Sequence, residues 1–222
     1  MHVIAFASQK GGSGKTTLAG HIAVEAERQG AGPVVLIDTD PQGSLSQWWN
    51  AREAEAPLFA RVSEMGLAHD LQNLKEAGIK LVVIDTPPAI TATIGRVIEQ
   101  SDLVVIPTRP SPHDLRAAGA TVQICERLDK PLVFIINAAS PRARITAEAA
   151  IALSHHGAVA PTIIHQRIDF ASSMIDGRTV MELGGKSKSP KEITELWSFL
   201  KHRLVGESTS PLLSTGPMMG AA

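Results

Sequence analysis

The stretch Lys10-Gly11-Gly12-Ser13-Gly14-Lys15-Thr16-Thr17 constrains this chain more than any other. Before it runs Val3-Ile4-Ala5-Phe6-Ala7, apolar and short enough for a buried strand. After it, Leu18, Ile22, Ala23 and Ala26 recur at helical spacing, and Gly30 supplies a stop. A strand, a glycine-rich turn and a helix N-terminus make an anion-binding device. Glycines let backbone N–H groups converge on phosphate oxygens, the helix start adds about half a positive charge, and Lys15 neutralises the terminal phosphates. Thr16 stands where a hydroxyl would ligate Mg²⁺. The generic pattern asks for glycine where this chain has Gln9. The strand-before, helix-after context therefore carries the assignment of a P-loop.

With 222 residues and 44% hydrophobic content the chain can bury one sizeable core, and a second independent domain is not expected. A single domain over residues 1–205 is expected, with a disordered Ser-, Pro-, Gly- and Met-rich tail over 206–222. No apolar run approaches the roughly 20 residues of a membrane span. The N-terminus enters strand pattern at once, so no secretion signal is read. One cysteine, Cys125, cannot form an internal disulfide; it reads as a small buried residue of a cytoplasmic protein. The net charge of −1 gives no global attraction to nucleic acid, so any such affinity must come from a local patch. With no tyrosine and 4% aromatics, recognition by base stacking is disfavoured.

Apolar runs near 2–7, 33–37, 81–85, 103–107, 131–136 and 160–164 read as strands. Runs such as Val34-Val35-Leu36-Ile37 lack alternation, which means burial on both faces, and helical segments lie between them. The expected fold is α/β, a mostly parallel central sheet with helices on both faces. Ligands of such sheets bind beyond the carboxyl ends of strands. Asp38 and Asp40, in Asp38-Thr39-Asp40-Pro41-Gln42-Gly43, therefore fall beside the P-loop. One can orient Mg²⁺ or its water while the other polarises an attacking water; an Asx-turn followed by a helix cap is the structural alternative. Asp85, closing Leu81-Val82-Val83-Ile84, is placed to hold a water on Mg²⁺ next to Thr16. Trp48 and Trp49 are read as core. Ser111 with Asp114 is a helix start. Asn137 ends the fifth strand, where a turn-forming role is the alternative. No Ser–His–Asp or metal-ligand spacing is present among the histidines, and His155, His156 and His165 are expected at the surface.

The loop resembles the deviant Walker A loop of the ParA/MinD ATPases, Lys-Gly-Gly-x-Gly-Lys-Thr-Thr, whose extra lysine reaches the partner subunit's nucleotide. Lys10 matches it. Asp-x-Asp-Pro-Gln-Gly at 38–43 and Asp85-Thr86-Pro87-Pro88 are similar to that family's two switch segments. The resemblance covers residues 1 to about 205. It implies a P-loop NTPase fold, ATP and Mg²⁺ as cofactors, and catalytic Lys10, Lys15 and Asp40. It further implies nucleotide contacts from Gly11 to Thr17, an adenine contact from Asn137, and metal contacts from Thr16, Asp38 and Asp85. An ATP-bound homodimer, non-specific DNA and a ParB-like or other adaptor stimulating hydrolysis are the implied partners. The implied work is positioning a plasmid, chromosome region or other cargo on the nucleoid. Arg142, Arg144 and Arg167 are the DNA-contact candidates, although Asp169 is an acid where some relatives carry arginine. Lys186 and Lys188 lie in a flexible basic loop capped by Ser189, a second candidate patch. The alternative is a MinD-like membrane-associated ATPase, which needs an amphipathic C-terminal helix. Ile193, Leu196, Trp197, Leu200 and Leu204 form an apolar stripe there, for which core packing is the simpler account.

Overall fold

A computed structural model describes residues 1–63, 66–89 and 92–206. The expected tail, apart from Gly206, lies outside the described residues. Among these residues, five of the apolar runs form strands where expected: β1 (His2–Phe6), β2 (Val34–Asp38), β4 (Leu81–Asp85), β5 (Leu103–Thr108) and β6 (Leu132–Ile136). Two short strands complete one sheet, β3 (Leu58–Ala60) and β7 (Ala158–Val159), in the order β3-β2-β4-β1-β5-β6-β7. Every strand pair is parallel.

The sixth expected strand, 160–164, is corrected to β7. Ala160 still donates to the Phe134 carbonyl, but Pro161 has no N–H to continue the ladder, and the chain bends over residues 161–162. It rejoins the sheet as a lone bridge between Ala139 and His165. β3 was not expected; three half-exposed residues at an edge give no usable pattern.

Helices α1 (Lys15–Arg28), α2 (Ser44–Asn50), α7 (Ile168–Ser173) and α8 (Ser189–Val205) cover one face of the sheet. There Leu18, Ile22, Trp48, Leu196, Trp197 and Leu200 pack on Ile4, Phe6, Leu36 and Val83. Helices α3 (Leu67–Glu76), α4 (Ala92–Glu99), α5 (Pro112–Arg127) and α6 (Arg144–Ser154) cover the other. Each central strand sends alternate residues to the two layers, so continuous apolar runs are what the architecture requires. Trp48 and Cys125 are core, as expected, and burial pushes the Cys125 thiol up to about 12, which makes it inert. The stripe of α8 is spent on this core: Ile193, Leu196, Trp197 and Leu200 are fully buried. Among the described residues no helix is long and apolar enough to cross a membrane.

α6 begins at Arg144, and Arg142 before it sits at φ 59, a left-handed conformation outside the right-handed helix. Two local expectations change. Ser189 is the first residue of α8 rather than its cap; its N–H is accepted by Ser187 Oγ. His165 is half-buried against Glu192, whereas His155 and His156 are exposed as expected.

His21 carries no sequence signal and is fully buried. Its Nδ1 lies 2.7 Å from the Thr17 carbonyl, and Nε2 accepts the Val180 N–H at 3.1 Å. One ring thereby joins α1 to the segment before α8, and only the neutral Nδ1–H tautomer satisfies both partners. Burial lowers its pKa to about 4, against the opposing pull of the Thr17 carbonyl and Glu182. The unfolded chain therefore binds the proton first. Stability from this site is complete above about pH 6.5 and lost as pH falls towards 4, by up to about 3 kcal/mol. Denaturation midpoints of wild type and His21→Gln across pH 4–7 are expected to converge at the acid end. Parallel curves would refute the assignment.

Candidate functional site

The loop between β1 and α1 has the geometry that an anion cradle needs. Gly12 and Gly14 take φ 73 and 97, the left-handed region that glycine enters without strain. α1 starts without a side-chain cap and without an acid in its first turn, so its N-terminal field is left unanswered. A Cβ on Gly14 would overlap the Asn137 amide, whose Nδ2 donates to the Ser13 carbonyl at 2.6 Å. Asn137 at the end of β6 thus holds the loop, and the donor expected for adenine is engaged there.

Lys15 is buried, its Nζ 3.3 Å from the Lys10 carbonyl. Burial lowers its pKa, while Asp85 and Asp40 pull it back up. Thr16 Oγ1 donates to Asp85 Oδ2 at 2.6 Å. Asp85 is fully buried, and burial raises it to about 7 against the Thr16 bond; the charges of Asp38 and Asp40 add to the rise and Lys15 opposes it. Asp85 Oδ1 and Ser13 Oγ are buried with no hydrogen-bond partner among the described residues. Burying such groups is costly unless something binds them.

The register Asp38↔Asp85 brings the two acidic strand ends side by side. Thr39 donates through both N–H and Oγ1 to the Asp85 carbonyl, tying the 38–43 segment to β4. Both aspartates also make the turns considered as the structural alternative. Asp38 accepts from Asp40 N and Ser46 N, and Asp40 accepts from Gln42 N. Burial raises Asp38 against those two bonds. Asp38 therefore anchors α2, while Asp40 lines the cavity.

That cavity, about 490 Å³, runs from Gly11, Gly12 and Lys15 past Arg109 and Asn137 to the segment Ile164–Ala171. Lys10 is exposed and does not line it. At the far end Glu192, the fourth residue of α8, accepts from Arg167 at 2.6 Å, from the His165 N–H at 3.1 Å, and pairs with His165 Nδ1 at 2.8 Å. Sequence reading missed Arg109 and this cluster. Arg109 follows β5, the neighbour of β1, so the rule that sites gather at strand carboxyl ends was the signal available.

The donor set fits Mg²⁺ with a nucleotide polyphosphate. It offers a buried carboxylate with a free oxygen, an adjacent threonine hydroxyl, a lysine and a glycine cradle. Among the described residues no three His, Cys, Asp or Glu side chains could hold a metal ion unaided. Such a set suits Mg²⁺, which keeps waters and takes much of its coordination from phosphates.

The DNA-contact candidates do not form one cluster of free cations. Arg142, Lys186 and Lys188 are exposed; Arg144 is exposed and pairs with Glu148; Arg167 is held by Glu192 and lines the cavity. Asp169 accepts the hydroxyls of Ser187 and Ser189, on either side of Lys188. Those bonds hold its carboxyl below the usual range.

The model of the CobQ/CobB/MinD/ParA nucleotide binding domain matches residues 4–180. The chain is 31% identical over 197 residues to a maintenance of carboxysome distribution protein A of Halothiobacillus neapolitanus, covering 84% of this chain and 89% of that one. In fold it is similar to a plasmid partition protein of Borrelia burgdorferi solved with AMPPNP (TM-score 0.68, 20% identity, 90% of this chain and 98% of that one). It is likewise similar to the septum site-determining protein MinD of Pyrococcus horikoshii solved with Mg-ADP (TM-score 0.76, 15% identity, 92% and 97%). With the cradle, the bond between Thr16 and buried Asp85 and this match over most of its length, the chain belongs to the CobQ/CobB/MinD/ParA nucleotide-binding family, as a P-loop ATPase that uses ATP and Mg²⁺.

Proposed function

We propose that this ATPase, one of the ParA/MinD proteins concerned with positioning or partition, dimerises on ATP and binds DNA without sequence preference. Hydrolysis, stimulated by an adaptor protein, then releases it. Lys10 carries the reading. It is a second lysine within the loop, exposed and outside its own protomer's cavity, which suits a charge meant for the partner subunit's nucleotide. Gly11 to Thr17 cradle the phosphates, with Lys15 as their counter-charge and Asn137 fixing the loop. Thr16 and Asp85 would hold Mg²⁺ and its water, with Asp38 behind them. Asp40 orients the attacking water. Mg²⁺-ATP supplies the electrophilic phosphorus and the metal charge that offsets the developing negative charge.

The carboxysome is one candidate cargo, since the Halothiobacillus relative is named for carboxysome distribution; plasmid and chromosome are the others. The membrane-organising alternative loses support because the apolar stripe of α8 is buried. The deciding experiment is binding to random-sequence duplex DNA with ATP, with ADP and without nucleotide, across a salt series. Binding is expected with ATP alone, falling steeply with salt as counterions are released. No binding in any state would overturn the DNA reading and direct attention to liposome sedimentation.

A further inference from the structure

We infer that Arg109 is a nucleotide-contacting residue of this chain, a second cation on the phosphate cradle in addition to Lys15. The inference rests on the cavity being the nucleotide site.

Three observations carry it. A Cβ built on Gly12 would stand 3.7 Å from Arg109 Nη2, so the guanidinium lies against the crest of the glycine loop. Arg109 lines the same cavity as Lys15 and Asp40. It is exposed, and among the described residues no carboxylate pairs with it, whereas Arg52 and Arg167 are each bound to a glutamate.

The backbone that presents it is held on both sides. Thr108 is buried and its carbonyl accepts Asn137 N–H at 2.9 Å. The Arg109 carbonyl accepts Ser111 N–H at 2.7 Å, and Ser111 caps α5 by accepting from Asp114 N. Pro110 and Pro112 remove further backbone freedom. The outcome is an exposed cation on a held backbone, beside a loop whose Lys15 is buried and whose Lys10 is exposed and outside the cavity. A guanidinium there meets phosphate oxygens with two parallel N–H donors, a geometry that lysine cannot reproduce. Gly12 suits the crest of the loop, since a side chain at φ 73 would be strained.

The test is equilibrium titration of ADP and of a non-hydrolysable ATP analogue into wild type, Arg109→Ala, Arg109→Lys and Lys15→Ala, with thermal melting of each. Arg109→Ala is expected to melt within about 2 °C of wild type, because the side chain is exposed and unpaired. Its affinity for both nucleotides is expected to fall about ten- to a hundredfold, and Arg109→Lys to recover part of the loss. A loss confined to the triphosphate also supports the inference and puts the contact on the terminal phosphate. If Arg109→Ala binds both nucleotides like wild type while Lys15→Ala does not, the nucleotide site stands and the inference on Arg109 falls. If wild type itself binds neither nucleotide, the underlying site reading falls and the inference with it.

Discussion

Lys15→Ala is expected to abolish nucleotide binding, with affinity down by at least about a hundredfold, while the fold becomes no less stable. The two effects part because the ammonium is useful only to a ligand. Within the protomer its bond is the 3.3 Å contact to the Lys10 carbonyl, and burial already presses its pKa down. No carboxylate among the described residues comes within ion-pair distance of it, so Asp85 and Asp40 act on it only at longer range. Removing a desolvated charge without a close partner relieves the folded state, a common relation between stability and function at binding sites. Calorimetric titration of ATP paired with a denaturant melt checks both halves. Binding within threefold of wild type would remove Lys15 from the site; a large loss of stability would mean that its alkyl chain, not its charge, is what the fold needs.

Gly177→Ala is expected to cost about 2–5 kcal/mol of stability. Gly177 lies at φ 77, immediately after the 3-10 turn Met174–Asp176. A Cβ there would come within 2.5 Å of the Ala51 carbonyl carbon and of Arg52 Cα, at the end of α2. Both obstacles are backbone, so no rotamer change relieves them. The same contact is reinforced by Arg52, which donates to the Gly177 carbonyl at 2.6 Å and to Glu182 at 2.7 Å, and by Trp48 Nε1–H, which donates to the Arg178 carbonyl. Gly184→Ala is the control: its φ of 70 is equally left-handed, but nothing lies within 4 Å, so only the conformational cost of about 1–2 kcal/mol is expected. Urea melts that gave the two variants equal losses would show that the close approach is not what Gly177 serves. Because α2 follows closely on Asp38 and Asp40, the Gly177 variant is also expected to lose more hydrolysis rate than ATP affinity relative to wild type.

What the sequence made legible follows from how each part is encoded. The five central strands are visible because a parallel strand buried on both faces must be apolar throughout, as in Leu81-Val82-Val83-Ile84. β3 is not, because three residues at an edge with one partner strand satisfy no such demand. The cradle, Asp40 and Asp85 are legible because each lies in a contiguous stretch at a strand's carboxyl end. Arg109 and the His165–Arg167–Glu192 cluster are assembled from strand neighbours and a distant helix, a proximity that only the sheet order β1-β5-β6 and the placement of α8 create. Asp38 shows a further limit: the resemblance implied a metal contact for it, but both its oxygens accept backbone N–H groups that a local pattern does not reveal.

Asp169 is an acid where the resemblance implies an arginine, and its bonds to Ser187 and Ser189 give it another task. The loop carrying Lys186 and Lys188 contains Gly184 and Gly185, both left-handed, and would otherwise have wide conformational freedom. Anchored by one carboxylate at α7, that loop has already lost much of its freedom in the free protein. A polyanion approaching it then meets two lysines on a narrowed set of positions, and the entropy that a loose basic loop would forfeit on binding is largely absent from the balance. On the proposed DNA reading, an acid in this position lowers the total positive charge but also lowers the ordering cost of binding.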